Sequence, residues 1–404
     1  MSGQTLLLGS ELVITKTLTI DGSALAEHVK ISGGGAVRGF NVAAGANVTM
    51  NHLDVINGKV SNGNSGGGIY NQGTLTLTAS TISGNIASGY GGGIYNQGTL
   101  TLTASTISGN ITDGYGGGIH NRNGGVLTLN ACTIANNAAR YNGGGIHHGA
   151  GSTVIVNACT ISGNNAQEYG GGISKSSNGT LTLIGSTLAD NTAQYGGGIA
   201  SRFDKTVLYN NLIGNNTASS GADCYGMLAS QDYNLIQDTV RCIITGTLTH
   251  NITGQAPLLG PLSDNGGGTA THALLPGSPA LDWIPNGANG CGGANTQDQR
   301  GFPRPMPAGG ACDIGAYEQS NAAPVADAGA SQLVTQGNVV TLNGGASYDP
   351  DSDPLTFAWT QTGGAAVSFT PTLSRTTFTA PNTAGILTFT LTVSDSHGLS
   401  DDPR

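Results

Sequence analysis

The chain has 404 residues and a formal net charge of −9, with only 9% charged and 5% aromatic residues but 67 glycines. An acidic chain with no Lys/Arg cluster argues against nucleic acid and anionic membrane surfaces as partners, and no apolar run approaches the ~18 residues of a membrane-spanning helix. The glycines do not recur at every third position, which excludes collagen, and the regular placement of Val, Ile and Leu excludes a disordered chain.

The first residues, MSGQTLLLGSELVITK, lack the basic start, apolar stretch and cleavage site of a signal peptide. They read as a strand pattern, and the expectation is a piece of a longer exported chain. Gly-Gly-Gly-Ile then recurs, with its Ile at Ile69, Ile94, Ile119, Ile146, Ile173 and Ile199, and residues 66–85 are identical to 91–110. A period of about 25 residues means stacked units. Between blocks the apolar positions alternate with Thr: Leu75 and Leu77, Leu100 and Leu102, Leu127 and Leu129, Val154 and Val156, Leu181 and Leu183. That is strand patterning, and no repeat holds a helical stretch. Three short strands per block, joined by tight turns, predict one coil of a parallel β-helix. A further apolar column holds Ile82, Ile107, Ile134, Ile161, Leu188 and Ile213.

Asn85, Asn110, Asn137, Asn164, Asn191 and Asn216 close each block. Their amides are expected to bond up and down the stack, and Asn tolerates the left-handed backbone of a corner. Cys132 and Cys159 share a column and read as buried thiols, whereas Cys224 with Cys242 and Cys291 with Cys312 suit disulfides in an oxidising compartment.

GGGI followed by IxxN resembles the right-handed parallel β-helix repeats of bacterial surface proteins. It is also similar to the GGA and FxxN repeats of chlamydial polymorphic membrane proteins, with Gly for Ala and Ile for Phe. The resemblance implies the pectin-lyase-like fold, which hosts both enzymes and adhesins. From about residue 222 the pattern changes. DCYGMLASQDYNLIQD, PLLGPLSDNGGGTATHALLPGSPALD, DQRGFPRP and CDIGAYE resemble the choice-of-anchor Q domain, which implies a bacterial secreted or surface protein and no known reaction. Residues 222–318 are read as closing coils and a cap over the solenoid end, with Asp298, Arg300, Asp313 and Glu318 in buried ion pairs. Residues 319–324 read as a linker. SYDPDSDPLTFAW and TFTLTVSD then resemble a PKD-type, Ig-like sandwich over 325–404, with Trp359 in its core and its usual last strand missing. The fold expected is therefore all-β: a right-handed parallel β-helix over 1–318, then a small Ig-like β-sandwich.

Repeat columns also bring chemistry together. Tyr90, Tyr115, Tyr141, Tyr169 and Tyr195 precede the glycines and predict an aromatic ribbon, read either as a sugar-stacking surface or as a self-packed corner. Just past each Ile the residues change from Tyr70, Asn71 and Gln72 to His120, Asn121 and Arg122, then His147 and His148, then Lys175, then Arg202. The tyrosines with His120, Arg122 and His148 are the expected ligand-binding set. Lys175 and Arg202, one coil apart, are the catalytic candidates: a polysaccharide lyase needs a base and a cation beside a uronate. A glycosidase would need two facing carboxylates, and none is apparent. In the last module Asp349, Asp351 and Asp353 crowd one turn. Three hard oxygen donors suit calcium, and Asp-Pro-Asp is equally ordinary turn chemistry; no other cofactor is expected. The functional expectation is a structural, adhesive rod, extracellular or on a bacterial cell surface, whose partners are extracellular glycans or surface proteins of a host or neighbouring cell. The alternative is a polysaccharide lyase or hydrolase on the same fold.

Overall fold

The structure, a computed structural model, describes residues 2–294, 296–320, 322–350, 353–395 and 399–402. They form two units, Met1–Gln319 and Ser320–Arg404. All regular structure among the described residues is β.

The first unit is built on a parallel β-solenoid of about nine turns. The coil that starts at Ile94 is typical, with strands Ile94–Asn96, Thr99–Thr103, Thr106–Ser108 and Ile111–Thr112. Each strand lies parallel and in register on the next coil: Ile94 meets Ile119, Leu100 meets Leu127, and Ile107 meets Ile134. The expected three strands per coil are in fact four, because a bend at Gln97 and Gly98 divides one face into two strands. Stacked, the four segments make parallel sheets of 11, 17 and 7 strands. The solenoid begins before the first glycine block, where Leu12 pairs with Phe40 and Phe40 with Ile69. It ends at Ile252–Thr253.

Strand alternation explains the interior. Ile94, Leu100, Leu102 and Ile107 are 0% exposed, and their equivalents form one core that runs from Ile14 to Ile236. Each buried aliphatic contributes roughly 1.5–3 kcal/mol, too little for a lone coil against the entropy of ordering ~25 residues at ~1–2 kcal/mol each. Stacking supplies the remaining burial and the interstrand hydrogen bonds.

The asparagine ladder is continuous. Asn85 donates from Nδ2 to Asn110 Oδ1 at 2.9 Å, and the same bond repeats at 2.9 Å from Asn110 to Asn137, Asn137 to Asn164, Asn164 to Asn191, and Asn191 to Asn216. Asp223 closes the series by accepting from Asn216 at 2.9 Å. The left-handed backbone expected of these asparagines belongs to the residue before each one: Gly84, Gly109, Asn136, Gly163, Asp190 and Asn215 have φ between 56° and 66°. The corner turns there, which leaves the following Asn free to aim its amide along the stack. The glycine blocks serve close approach as well as turning. Gly91 is left-handed at φ 64°, and at Gly92 a β-carbon would sit 2.5 Å from the Gly117 carbonyl oxygen.

Another inward ladder runs through Ser80, Ser105, Cys132, Cys159 and Ser186. The Ser80 N–H donates to Ser105 Oγ at 3.2 Å, and the Cys132 N–H donates to Cys159 Sγ at 3.3 Å. The two thiols are free and buried, while Cys224–Cys242 and Cys291–Cys312 are disulfides.

Beyond Thr253 the chain does not lie across the solenoid end as the cap reading expects. It runs back along the flank, over the outward Thr column. Thr133 Oγ1 donates to the Ala270 carbonyl at 2.6 Å, and Gln299 accepts from Thr160 Oγ1 at 2.6 Å and donates to Thr133 Oγ1 at 3.0 Å. The Ala316 N–H donates to Thr187 Oγ1 at 3.0 Å. Further along the same column the outward residues become Leu212, Leu235 and Ile252, which pack with Leu274, Ile284, Cys291, Cys312 and Ile314 in a separate core. Buried ion pairs stiffen this strap: Asp298 with Arg300, and Arg304 with Glu318, each at 2.7 Å. Burial, reinforced by the neighbouring Glu318, pushes the Asp313 carboxyl well up.

The second unit pairs antiparallel strands Val339–Asn343 with Arg375–Thr379, and Thr356–Gly363 with Thr388–Ser394. Trp359, Leu391, Val393, Val340 and Phe378 form its core.

Candidate functional site

Two outward columns run side by side along the coils. The first holds the tyrosines before each glycine block. Tyr90 and Tyr115 stack with centroids 5.4 Å apart and planes 1° from parallel, Tyr115 and Tyr141 lie at 5.5 Å, and Tyr169 and Tyr195 stack at 4.8 Å. The second column lies one residue past each block's Ile: Tyr70, Tyr95, His120, His147, Ser174, Ala200 and Tyr225 are successive register partners. Tyr70 stacks on Tyr95 at 5.1 Å, Tyr95 on His120 at 5.3 Å, and His120 meets His147 edge-on at 4.8 Å. The columns touch where Tyr90 meets His120 at 5.1 Å and Tyr115 meets His147 at 4.8 Å. The stacked tyrosines spend their ring faces on one another, so the ribbon presents edges and hydroxyls rather than open stacking platforms.

Ladder burial sets the protonation of the imidazoles. Desolvation lowers His120 from 6.5 to about 3. It also holds His147 well below 6.5, helped by the charges of Arg122 and Arg202. Burial thus favours the neutral form of both rings.

Where the second column shrinks to Ser174 and Ala200, Ser174 Oγ and the nearby Arg202 Nε are buried without hydrogen-bond partners among the described residues. Arg202, two residues past Ala200, lays its guanidinium 4.1 Å over the Tyr169 ring and 5.1 Å from that of Phe203. It forms no hydrogen bond or ion pair with the described residues, and its Nε is buried. His147 shares Nε2 with Ser176 Oγ at 2.8 Å, while its Nδ1, Ser174 Oγ and His120 Nε2 are buried without partners. Arg122 lies 5.8 Å over Tyr90 and Arg140 lies 5.7 Å over Tyr141, so cations line the ribbon in an acidic chain.

Two expected site residues face the other way. His148 pairs in register with Asn121 and Lys175, and Lys175 pairs with Ser201 rather than Arg202. This column points into the coil, where Asn71 donates to Asn96 at 2.7 Å and Asn96 to Asn121 at 2.6 Å. His148 continues it at 0% exposure, with Nε2 between the Ser152 and Thr180 carbonyls at 3.0 and 3.1 Å. Lys175 is 0% exposed and reaches Asp204 at 3.3 Å. Desolvation lowers its pKa, and the Asp204 carboxylate works against that shift. A one-residue step along a strand reverses the face, so Lys175 and Arg202 lie on opposite sides and make no lyase pair. Arg202, Arg122, His120 and the tyrosines do face outward together. Ser174, His147, Tyr95 and Tyr225 join them, and column register was the signal for these.

In the second unit the carboxylate oxygens of Asp349, Asp353 and Asp395 lie within 4.8 Å of one another. Asp351 lies outside the described residues. Asp395 follows the strand Thr388–Ser394, distant in sequence from the other two. Three hard oxygen donors at that spacing are the ligand type calcium takes.

Residues 321–404 match the PKD domain family. No curated protein matches the chain. Among solved structures, a nucleoside hydrolase-related hypothetical protein from Saccharophagus degradans, described as associated with carbohydrate metabolism, aligns at 24% identity and a TM-score of 0.18. The alignment covers 20% of this chain and 24% of that one, an overlap too small to carry an argument about fold or activity. A PKD domain beside a parallel β-solenoid fits a structural protein of the surface or extracellular space.

Proposed function

We propose that this protein is a secreted or surface-bound bacterial β-solenoid protein that binds an acidic extracellular glycan along its tyrosine, histidine and arginine strip. One observation carries the reading. Arg202 is a cation fixed on Tyr169 whose buried Nε has no partner among the described residues, next to a column in which Ser174 and His147 also keep unpartnered polar atoms. Buried polar atoms in folded proteins are nearly always paired, and a planar guanidinium pairs best with a carboxylate or sulfate. The stacked tyrosines support such a site by holding the cation still, which lowers the ordering cost of binding. Disulfides at Cys224–Cys242 and Cys291–Cys312 suit export.

The test is calorimetry with carboxylated and sulfated polysaccharides beside neutral ones. Arg202→Ala should weaken binding of the acidic polymers about tenfold or more, and Arg202→Lys should not restore it, because an ammonium lacks the planar fork. An Arg202→Ala protein that binds the acidic polymers as tightly as wild type, or a loss on Arg202→Ala that is equal for neutral and acidic polymers, would contradict the reading.

A further inference from the structure

We infer a second carbohydrate site, for a neutral pyranose residue, built from Trp283, His250 and Tyr233 where the last coils meet the returning strap. It shares no residue with the Arg202 strip and does not depend on that reading.

The site rests on two exposed rings, His250 and Trp283, each held by a hydrogen bond through one ring nitrogen, and on the partly buried Tyr233 beneath them. Asp232 is buried and takes hold of His250 twice: the His250 N–H donates to Oδ1 at 2.7 Å, and ring Nδ1 lies 2.6 Å from Oδ2. Burial alone would raise the Asp232 carboxyl, and the His250 hydrogen bonds outweigh it and lower the pKa. The His250 ring then lies flat on Tyr233, with centroids 4.7 Å apart and planes 5° from parallel. The indole N–H of Trp283 donates to the His250 carbonyl at 2.7 Å. Despite these restraints, Trp283 is 44% exposed and the His250 side chain 49% exposed.

The backbone beneath is strained in the same place. Asp232 and Tyr233 are consecutive left-handed residues, with φ of 78° and 52°. A bulky aromatic rarely adopts that conformation, and such outliers persist where the surroundings over-determine them, often at ligand sites. Asn289 helps by donating to the Gln231 and Asp232 carbonyls at 3.0 and 3.3 Å.

The chemistry left free selects the ligand. The Tyr ribbon spends its ring faces internally, but here His250 and Trp283 stay exposed, and the ring contact His250 makes is with Tyr233. Open aromatic faces attract the C–H face of a sugar ring. His250 Nε2 and the Tyr233 hydroxyl have no protein partner among the described residues, so they can bond sugar hydroxyls. Both Asp232 oxygens are engaged with His250 and the Tyr233 face is covered by imidazole, so the cluster is not arranged as a cage for a cation.

Trp283 is one of two tryptophans, and the other, Trp359, is buried in the second unit. Intrinsic fluorescence therefore reports on this site directly. Neutral β-1,4-linked gluco-, xylo- and manno-hexaoses are titrated into the full chain, with choline as the cationic probe. At least one hexaose should give a saturable blue shift, and choline should give none. Calorimetry with Trp283→Ala should show at least about a tenfold loss of affinity, and Arg202→Ala should leave it unchanged. The inference is overturned if no neutral hexaose saturates the wild-type signal, if choline does, or if folded Trp283→Ala binds as well as wild type. If Trp283→Ala does not fold, Trp283→Phe decides by calorimetry: it retains a ring face and should keep most of the affinity, and loss of binding by a folded Trp283→Phe counts against the stack.

Discussion

The identical coils around Tyr90 and the divergent coils from Asn142 to Arg202 share one backbone and differ in how they fill its columns. In the identical coils, like sits on like. Asn85 bonds Asn110, Asn71 bonds Asn96, and Tyr90 stacks on Tyr115. These ladder bonds join each group to its like one coil away, and Asn71 Oδ1, at the start of its ladder, is the buried atom they leave unpaired. In the divergent coils the inner Asn column becomes His148 and Lys175, and the outer Tyr and His column becomes Ser174 and Ala200. There the partners run out, and Arg202, Ser174 and His147 keep unpaired atoms. Repetition satisfies polar groups cheaply in a solenoid, and departures from it expose chemistry.

The largest effect should come from breaking a regular column. Asn137 accepts from the Asn110 backbone and side chain and donates to Asn164 and the Ile107 carbonyl, all buried. Asn137→Ala strands these groups and should cost about 3–5 kcal/mol, read from the denaturant midpoint. A cost below about 1 kcal/mol would mean that the ladder is decorative.

A smaller effect should come from acid acting on the divergent columns. His120 sits near 3 in the folded protein and recovers 6.5 when unfolded. A depressed folded value means that its stabilisation is whole above about pH 6.5 and is lost as pH falls toward 3. His147 and His148 shift in the same direction. Asp223, raised by burial to about 6, works oppositely: its contribution is present below 3.8 and lost as pH rises through 6. Comparing wild type with His120→Tyr, which continues the Tyr70 and Tyr95 column, isolates the imidazole. The variant should lose less melting temperature between pH 7 and 4.5. Parallel pH curves for the two proteins would contradict the burial of His120.

Much of this was legible in the sequence. Period-two alternation placed Leu75, Leu100 and Leu127 inside, and all are 0% exposed. The Asn column was readable because identical residues at a fixed period must meet. Facing was lost where one residue decides it: His148 and Lys175 were grouped with outward neighbours and lie inside. The strap was hidden because nothing in Thr133, Thr160 and Thr187 distinguishes a covered Thr from a solvated one. Their switch to Leu212, Leu235 and Ile252 was the available signal for an apolar partner on that flank. The Trp283 cluster joins segments far apart in sequence, and no periodicity announces it. Asp395 escaped the acidic group for the same reason.

The most direct measurement is the distance between spin labels at Thr74 and Thr180. Four register steps separate these exposed positions. Stacked coils at ~4.8 Å per step place their backbones about 19 Å apart. Repeats laid side by side as hairpins would add two strands each and give about 38 Å, a result that would contradict the solenoid and every column read from it.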